Sequence, residues 1–296
     1  MVWIERMNSA LNYVEEHLLD ELNYARVAQL ACCSFSSFQR MFSVMANVSL
    51  FEYIRRRKLT LAAFELQNSA IKVVDLASKY GYESPEAFTR AFNQLHGISP
   101  SSAREKGANL TAYPRISFTL TVKGVVPMNY KIVEKDAFEI YGLESLVNTE
   151  DDEHLKTIPE LWQKAIKDGS LHALAKSTGI TGHDDHLACV NAICDYREVE
   201  EDKTYPYMLF AHKTAKSDAT GYKVVTVPAA TWVIFRSENH TIEQTSSVIQ
   251  QLFQRVYTEW LPTAQYDKDT GCELEMYYQQ GETYWSEVWI RVTPKA

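Results

Sequence analysis

The chain has 296 residues, 46% of them apolar, and a formal net charge of −8, which excludes a disordered chain and leaves room for two separate cores. No run approaches the roughly 18 consecutive apolar residues of a membrane span, and the opening MVWIERMNSA lacks a basic region followed by an apolar one, so a cytoplasmic protein without membrane contact is expected. The five cysteines, Cys32, Cys33, Cys189, Cys194 and Cys272, form no CxxC pair, which points to reduced thiols rather than a zinc site or a disulfide framework.

The charge is uneven. Residues 1–107 carry 12 Lys and Arg against 11 Asp and Glu, a net +1, and the remainder carries −9. A polyanion meets the first part more readily than the second. A balance of +1 is a small footprint, so the reading rests on pattern.

In residues 4–18, Ile4, Met7, Leu11, Val14 and Leu18 recur at steps of three and four, which predicts a helix with one apolar face. Shorter helices follow over 24–31 and, behind Ser34 as N-cap, over 35–46. Residues 50–66, LFEYIRRRKLTLAAFEL, contain no Gly or Pro and predict a long helix. Two more are expected over 72–79 and 85–95, the latter with Ser84 as cap and Pro85 at the first helical position. Ser34, Phe38, Arg40, Phe42 and Ser49 recur as Ser84, Phe88, Arg90, Phe92 and Ser99 at a spacing of 50. The repeated unit is a short helix, a tight turn and a second helix, the pattern whose second helix enters the major groove.

VVDLASKYGYESPEAFTRAFNQLHGISPSSAR resembles the second helix-turn-helix of AraC/XylS-type regulators, and VAQLACCSFSSFQRMF resembles the first. The likeness covers about the first 105 residues. One departure is Cys32, which stands where that family places glycine. Glycine tolerates φ > 0, so a strained first turn is expected, and with it a smaller share of specificity for the first unit. The resemblance implies base-facing positions at Ser36, Gln39 and Arg40 in the first unit and Glu86, Thr89 and Arg90 in the second. Gln pairs with adenine and Arg with guanine. The helix over 50–66 spans roughly 25 Å at 1.5 Å per residue, long enough to set two recognition helices about one DNA turn apart. The run Arg55–Lys58 and the group Ser101, Ser102 and Arg104 are phosphate candidates, weighed against ordinary solvated charge.

The small, polar, Pro-containing GANLTAYPR at 107–115 has a linker's composition, and residues 108–128 are expected to form the linker. Beyond it, YKIVEKDAFEIYG from Tyr130 is answered by YKVVTVPAATWVIF from Tyr222 at a spacing of 92. In the first half strands are expected over 130–143, 188–195 and 207–212 with a helix over 158–167. In the second they fall over 222–235, 273–279 and 287–292 with a helix over 242–260. An all-α double helix-turn-helix domain (1–107) followed by a duplicated antiparallel-sheet α+β domain (129–296) is the expected fold, each half a small sheet backed by a helix. A groove between the halves is the expected ligand site.

MNYKIVEK, WLP at 260–262, ELEMYY at 273–278 and YWSEVWIRV at 284–292 resemble the GyrI-like effector-binding domain over about the last 165 residues. In that family a Glu before the Trp of the last strand meets the ligand's positive charge, and its match is Glu287. Arg291 departs from the family, which often has Pro there, and puts a cation near that strand. From the residues alone, Glu287, Trp289 and Arg291 alternate with Val288, Ile290 and Val292, so the aliphatic face packs on a core and the other faces solvent or ligand. A carboxylate beside an aromatic plane suits an organic cation. Glu275 and Tyr277 are expected to repeat the arrangement next door. Tyr141, Trp162, Trp232 and Trp260 are further candidates, weighed against the core places that large aromatics fill.

The resemblance implies double-stranded DNA, a small-molecule effector and RNA polymerase as partners, with no cofactor and no catalytic residue. No metal site is expected, since GHDDH at 182–186 reads as a solvated loop rather than a ligand set. Rival expectations are a GyrI-like hydrolase with Glu287 as general base and a toxin-sequestering or protein-binding module. No GxSxG, GxGxxG or P-loop pattern occurs.

Overall fold

A computed structural model describes residues 3–119, 127–148, 153–180, 189–199 and 204–295. The GHDDH segment lies outside the described residues. The N-terminal part is helical: α1 (Trp3–Glu16), α2 (Tyr24–Ala31), α3 (Phe35–Ala46), α4 (Leu50–Asn68), α5 (Val73–Lys79) and α6 (Pro85–His96), then a 3-10 turn (Ser102–Arg104). The repeated serines explain the duplication at the level of single hydrogen bonds. Ser34, Ser49, Ser84 and Ser99 each accept, at 3.1 Å, from the backbone N–H three residues on, at Ser37, Glu52, Ala87 and Ser102. Each satisfies a donor that a helix start leaves orphaned.

Cys32 adopts φ 54°, ψ 41° at the end of α2, and Gly81 holds φ 79° at the corresponding turn after α5. In both turns the next residue's N–H reaches back five positions, Cys33 to Ala28 and Tyr82 to Ala77, so both close as Schellman caps. The departure at Cys32 keeps the glycine-type backbone and carries a side chain in it.

The C-terminal part comprises β1 (Asn129–Lys135), β2 (Phe138–Asn148), α7 (Glu153–Lys167), α8 (Ser170–Ser177), β3 (Asn191–Cys194), β4 (Thr204–His212), β5 (Lys223–Val227), β6 (Ala230–Arg236), α9 (Thr245–Arg255) with a π-turn over Val256–Trp260, β7 (Tyr266–Gln280) and β8 (Thr283–Pro294). The strands make one antiparallel sheet in the order β1-β6-β8-β7-β3-β4-β2-β5, where two small sheets were expected. The two halves are related by a pseudo-twofold through the β3–β7 pair, and each sends its first strand to the other. β1 pairs with β6 in register Lys135↔Ala230, and β5 pairs with β2 in the equivalent register Val227↔Phe138.

All the helices of this part lie on one face of the sheet. Val233, Phe235, Val288 and Ile290 pack with Ile249 and Phe253 of α9, while Val147, Tyr205, Tyr207 and Leu209 pack with Ala165 and Trp162 of α7. The cluster over α9 continues without a break into the N-terminal part through Trp3, Leu11, Phe38 and Phe42. A separate core holds the second helix-turn-helix unit, with Leu59 and Leu66 of α4 against Leu76, Phe88 and Phe92. The first unit is therefore built onto the sheet domain, and the second has its own interior.

Candidate functional site

The face of the sheet away from the helices forms a groove of about 840 Å³, lined by Lys135, Met276, Tyr278, Trp285, Glu287 and Trp289 among others, within the range of small-molecule sites. Its floor is apolar, with Ile234, Leu274, Met276 and Trp232 in one buried cluster. Glu287 is 7% exposed. Its Oε2 accepts from the Tyr278 hydroxyl at 3.0 Å and from the Trp289 indole N–H at 2.9 Å. Burial, and then the Glu287 carboxylate, push the Tyr278 phenol up, so it stays a donor. Tyr278 stacks on Trp285 with 5.3 Å between centroids. Two cations already lie on the aromatic walls: Lys135 Nζ is 4.9 Å from the Trp289 ring centre, and the Arg236 guanidinium is 5.0 Å from that of Trp285.

Of the expected effector residues, Glu287 and Trp289 line this groove. Trp232 lies fully buried behind Trp289, 6.0 Å between centroids. Glu275, Tyr277 and Tyr141 are on the opposite face, which corrects the expectation that they join the groove. The register decides it: Met276 pairs with Glu287 and shares its face, whereas Glu275 pairs with Val288. There Glu275 accepts from Tyr277 at 2.8 Å and Tyr207 at 3.2 Å, and burial pushes its carboxyl up. Tyr141 is hydrogen-bonded to Ser177 at 2.9 Å. Trp162 donates to Tyr207 in the helix-side core, and Arg291 is paired with Asp269 at 2.8 Å. Reading along the strand from Glu287 reaches Trp285 by parity, but Tyr278 and Lys135 become visible only with the pairing of strands.

The two halves of the sheet carry unlike residues at equivalent places. Trp289 pairs with Ile234, and the twofold-equivalent pair is Phe210 with Gly142. Met208 therefore holds the place in the first half that Glu287 holds in the second.

In the second helix-turn-helix unit, Glu86 and Arg90 are exposed on α6 and Thr89 is half-buried. The first unit differs. The side chains of Ser36 and Arg40 on α3 bond to the C-terminal half, and Gln39 between them is buried. Asp195, itself at φ 56°, accepts from the hydroxyls of Ser34 at 2.7 Å, Ser36 at 2.9 Å and Ser37. Arg40 forms an ion pair with Glu273, which also accepts from Tyr257 at 2.7 Å and pairs with Lys268 at 3.1 Å. Glu273 is fully buried. Burial works to raise its carboxyl, but Arg40 and Lys268 outweigh burial and hold it below the ordinary value. Gln39 is 2% exposed and both its amide atoms are buried without a hydrogen-bond partner, a defect of about 1–3 kcal/mol for a buried polar group.

The basic run on α4 is divided among internal partners. Arg55 and Arg56 bind Glu52, and Arg57 binds Glu15 and the Tyr113 carbonyl. Arg104 ties down the carbonyls of Ser69 and Ile71. Among the described residues no helix is long and apolar enough to cross a membrane.

The GyrI-like small molecule binding domain family matches residues 128–293, and a helix-turn-helix domain family matches residues 27–106. The HTH-type transcriptional activator AarP of Providencia stuartii is 36% identical over 98 residues, 33% of this chain and 73% of that protein. The regulatory protein SoxS of Salmonella typhimurium is 34% identical over 100 residues, 34% of this chain and 94% of that protein. The solved structure of SAV2435 bound to tetraphenylphosphonium aligns with 56% of this chain and 94% of its own, at 15% identity and a TM-score of 0.43. The two family matches and the likeness to AarP and SoxS assign the chain to the AraC-type helix-turn-helix family, with a GyrI-like small molecule binding domain as its C-terminal half.

Proposed function

We propose that this chain is a cytoplasmic transcription regulator that reads specific double-stranded DNA, takes a hydrophobic organic cation as effector in the sheet groove, and acts on RNA polymerase. The working units are 1–107 for DNA and 129–296 for the effector, joined by 108–128. The observation that carries the DNA reading is α6, where Glu86, Thr89 and Arg90 point away from the core formed by Phe88 and Phe92 and make no hydrogen bond or ion pair among the described residues. The relatives AarP and SoxS, a transcriptional activator and a regulatory protein by name, support it. The effector reading rests on the buried Glu287 carboxylate between aromatic walls.

Duplexes selected from a random pool by the full chain test the first part. Arg90→Ala is expected to weaken the selected duplex by about 1–3 kcal/mol and to relax preference at one base pair, as a lost guanine contact does, while leaving random DNA nearly unchanged. Equal weakening on both would refute base reading by Arg90. A second reading, hydrolysis with Glu287 as general base, draws on Oε1, which accepts no hydrogen bond among the described residues, both donors being on Oε2. Product formed from a bound electrophilic ligand would decide for it.

A further inference from the structure

We infer that the C-terminal half is an intramolecular competitor of DNA: by clamping α3 it keeps the first helix-turn-helix unit off the duplex until the two part. The inference rests on the reading of α3 as a DNA-facing helix. The residues that would touch DNA are the ones the clamp consumes. Arg40 gives its guanidinium to Glu273 and lies 5.4 Å from the Phe253 ring centre, and Ser36 gives its hydroxyl to Asp195. A base edge and Glu273 cannot hold Arg40 together. The mimicry is chemical, since Asp195 and Glu273 present carboxylates to serines and an arginine as a phosphate and a guanine present acceptors.

Gln39 separates this from an ordinary domain contact. Its amide N and O are both buried in the docked state with no partner, so docking does not account for an amide there, whereas a base edge satisfies donor and acceptor at once. The exposed α6 is left able to hold DNA while α3 is docked. The clamp also adjoins the effector groove: Glu273 precedes Leu274, whose pairing partner is Trp289, so an occupant that shifts β7 acts one residue from the clamp.

The test uses the full chain, a duplex selected from a random pool by the Asp195→Ala variant, and labelling of Lys268 with acetic anhydride read by mass spectrometry. Lys268, whose side chain is 3% exposed beside Glu273, reports undocking without reference to DNA. Asp195→Ala is expected to bind the selected duplex at least tenfold more tightly than the unchanged chain and to be labelled faster at Lys268. The unchanged chain, protected when free, is expected to become labelled at Lys268 when saturated with duplex, a readout that does not depend on any variant folding. Saturated binding with Lys268 still protected, or equal affinities for the two proteins, overturns the competitor role and leaves DNA reading intact. Failure of the Asp195→Ala chain to enrich any duplex overturns both.

Discussion

At Glu287 the neighbourhood decides the chemistry. The carboxylate is nearly out of water, one oxygen is held by two donors, and the indole of Trp289 lies alongside. A charge in such a place acts through a lower dielectric than in bulk solvent. Glu287→Gln is therefore expected to cost benzyltrimethylammonium about tenfold or more in affinity and its uncharged carbon isostere less than twofold, measured by tryptophan fluorescence, with Trp285 and Trp289 as reporters in the wall. Equal losses for the pair would make Glu287 a structural carboxylate. Cys32 offers a stability test. Its exposed side chain sits on left-handed backbone, so Cys32→Gly removes the strain and returns part of it as unfolded-state entropy. A net gain of about 0.5–1 kcal/mol is expected, seen as a higher urea midpoint at unchanged slope. A lower midpoint would mean that the thiol's contacts matter more than its φ.

Among elements, the strands hold what the chain order conceals. The capping serines and the alternation of Glu287 and Trp289 with Val288 and Ile290 are local, and the sequence alone reveals them. Which way Glu275 and Tyr277 point depends on pairing, because a one-residue change of register exchanges the faces of a strand. The exchange of β1 and β5 between halves is likewise invisible to periodicity, which is why two separate sheets were expected. Helix α8 was not expected, although α2 and α5, which are no longer than it, were. The β2–β4 pair shows how tightly the sheet is drawn: a Cβ on Gly142 would lie 1.9 Å from the Leu209 carbonyl oxygen and 2.8 Å from the Phe210 Cα. Backbone on the partner strand has little room to yield, so Gly142→Ala is expected to destabilise the sheet domain by about 2–4 kcal/mol. Thermal unfolding followed by near-ultraviolet circular dichroism should drop by roughly 5–15 °C; an unchanged melting temperature would show that the strands can part at no cost.

In the molecule as a whole, the boundary suggested by composition and the boundary of the cores differ. The linker composition near residue 110 separates two sequence families, but the first helix-turn-helix unit shares its apolar cluster with α9 and the sheet, while the second unit stands apart. Nothing local announces this, since Arg40 finds its partner 233 positions away at Glu273. The long α4 then joins a docked unit to a free one. The pseudo-twofold carries a last consequence. A symmetric sheet would offer a guest two equivalent places, yet here Glu287 and Trp289 line the groove while their equivalents Met208 and Phe210 are fully buried. Duplication of the fold has therefore not duplicated the site: one chain offers one carboxylate beside an indole, and a single guest suffices to fill it.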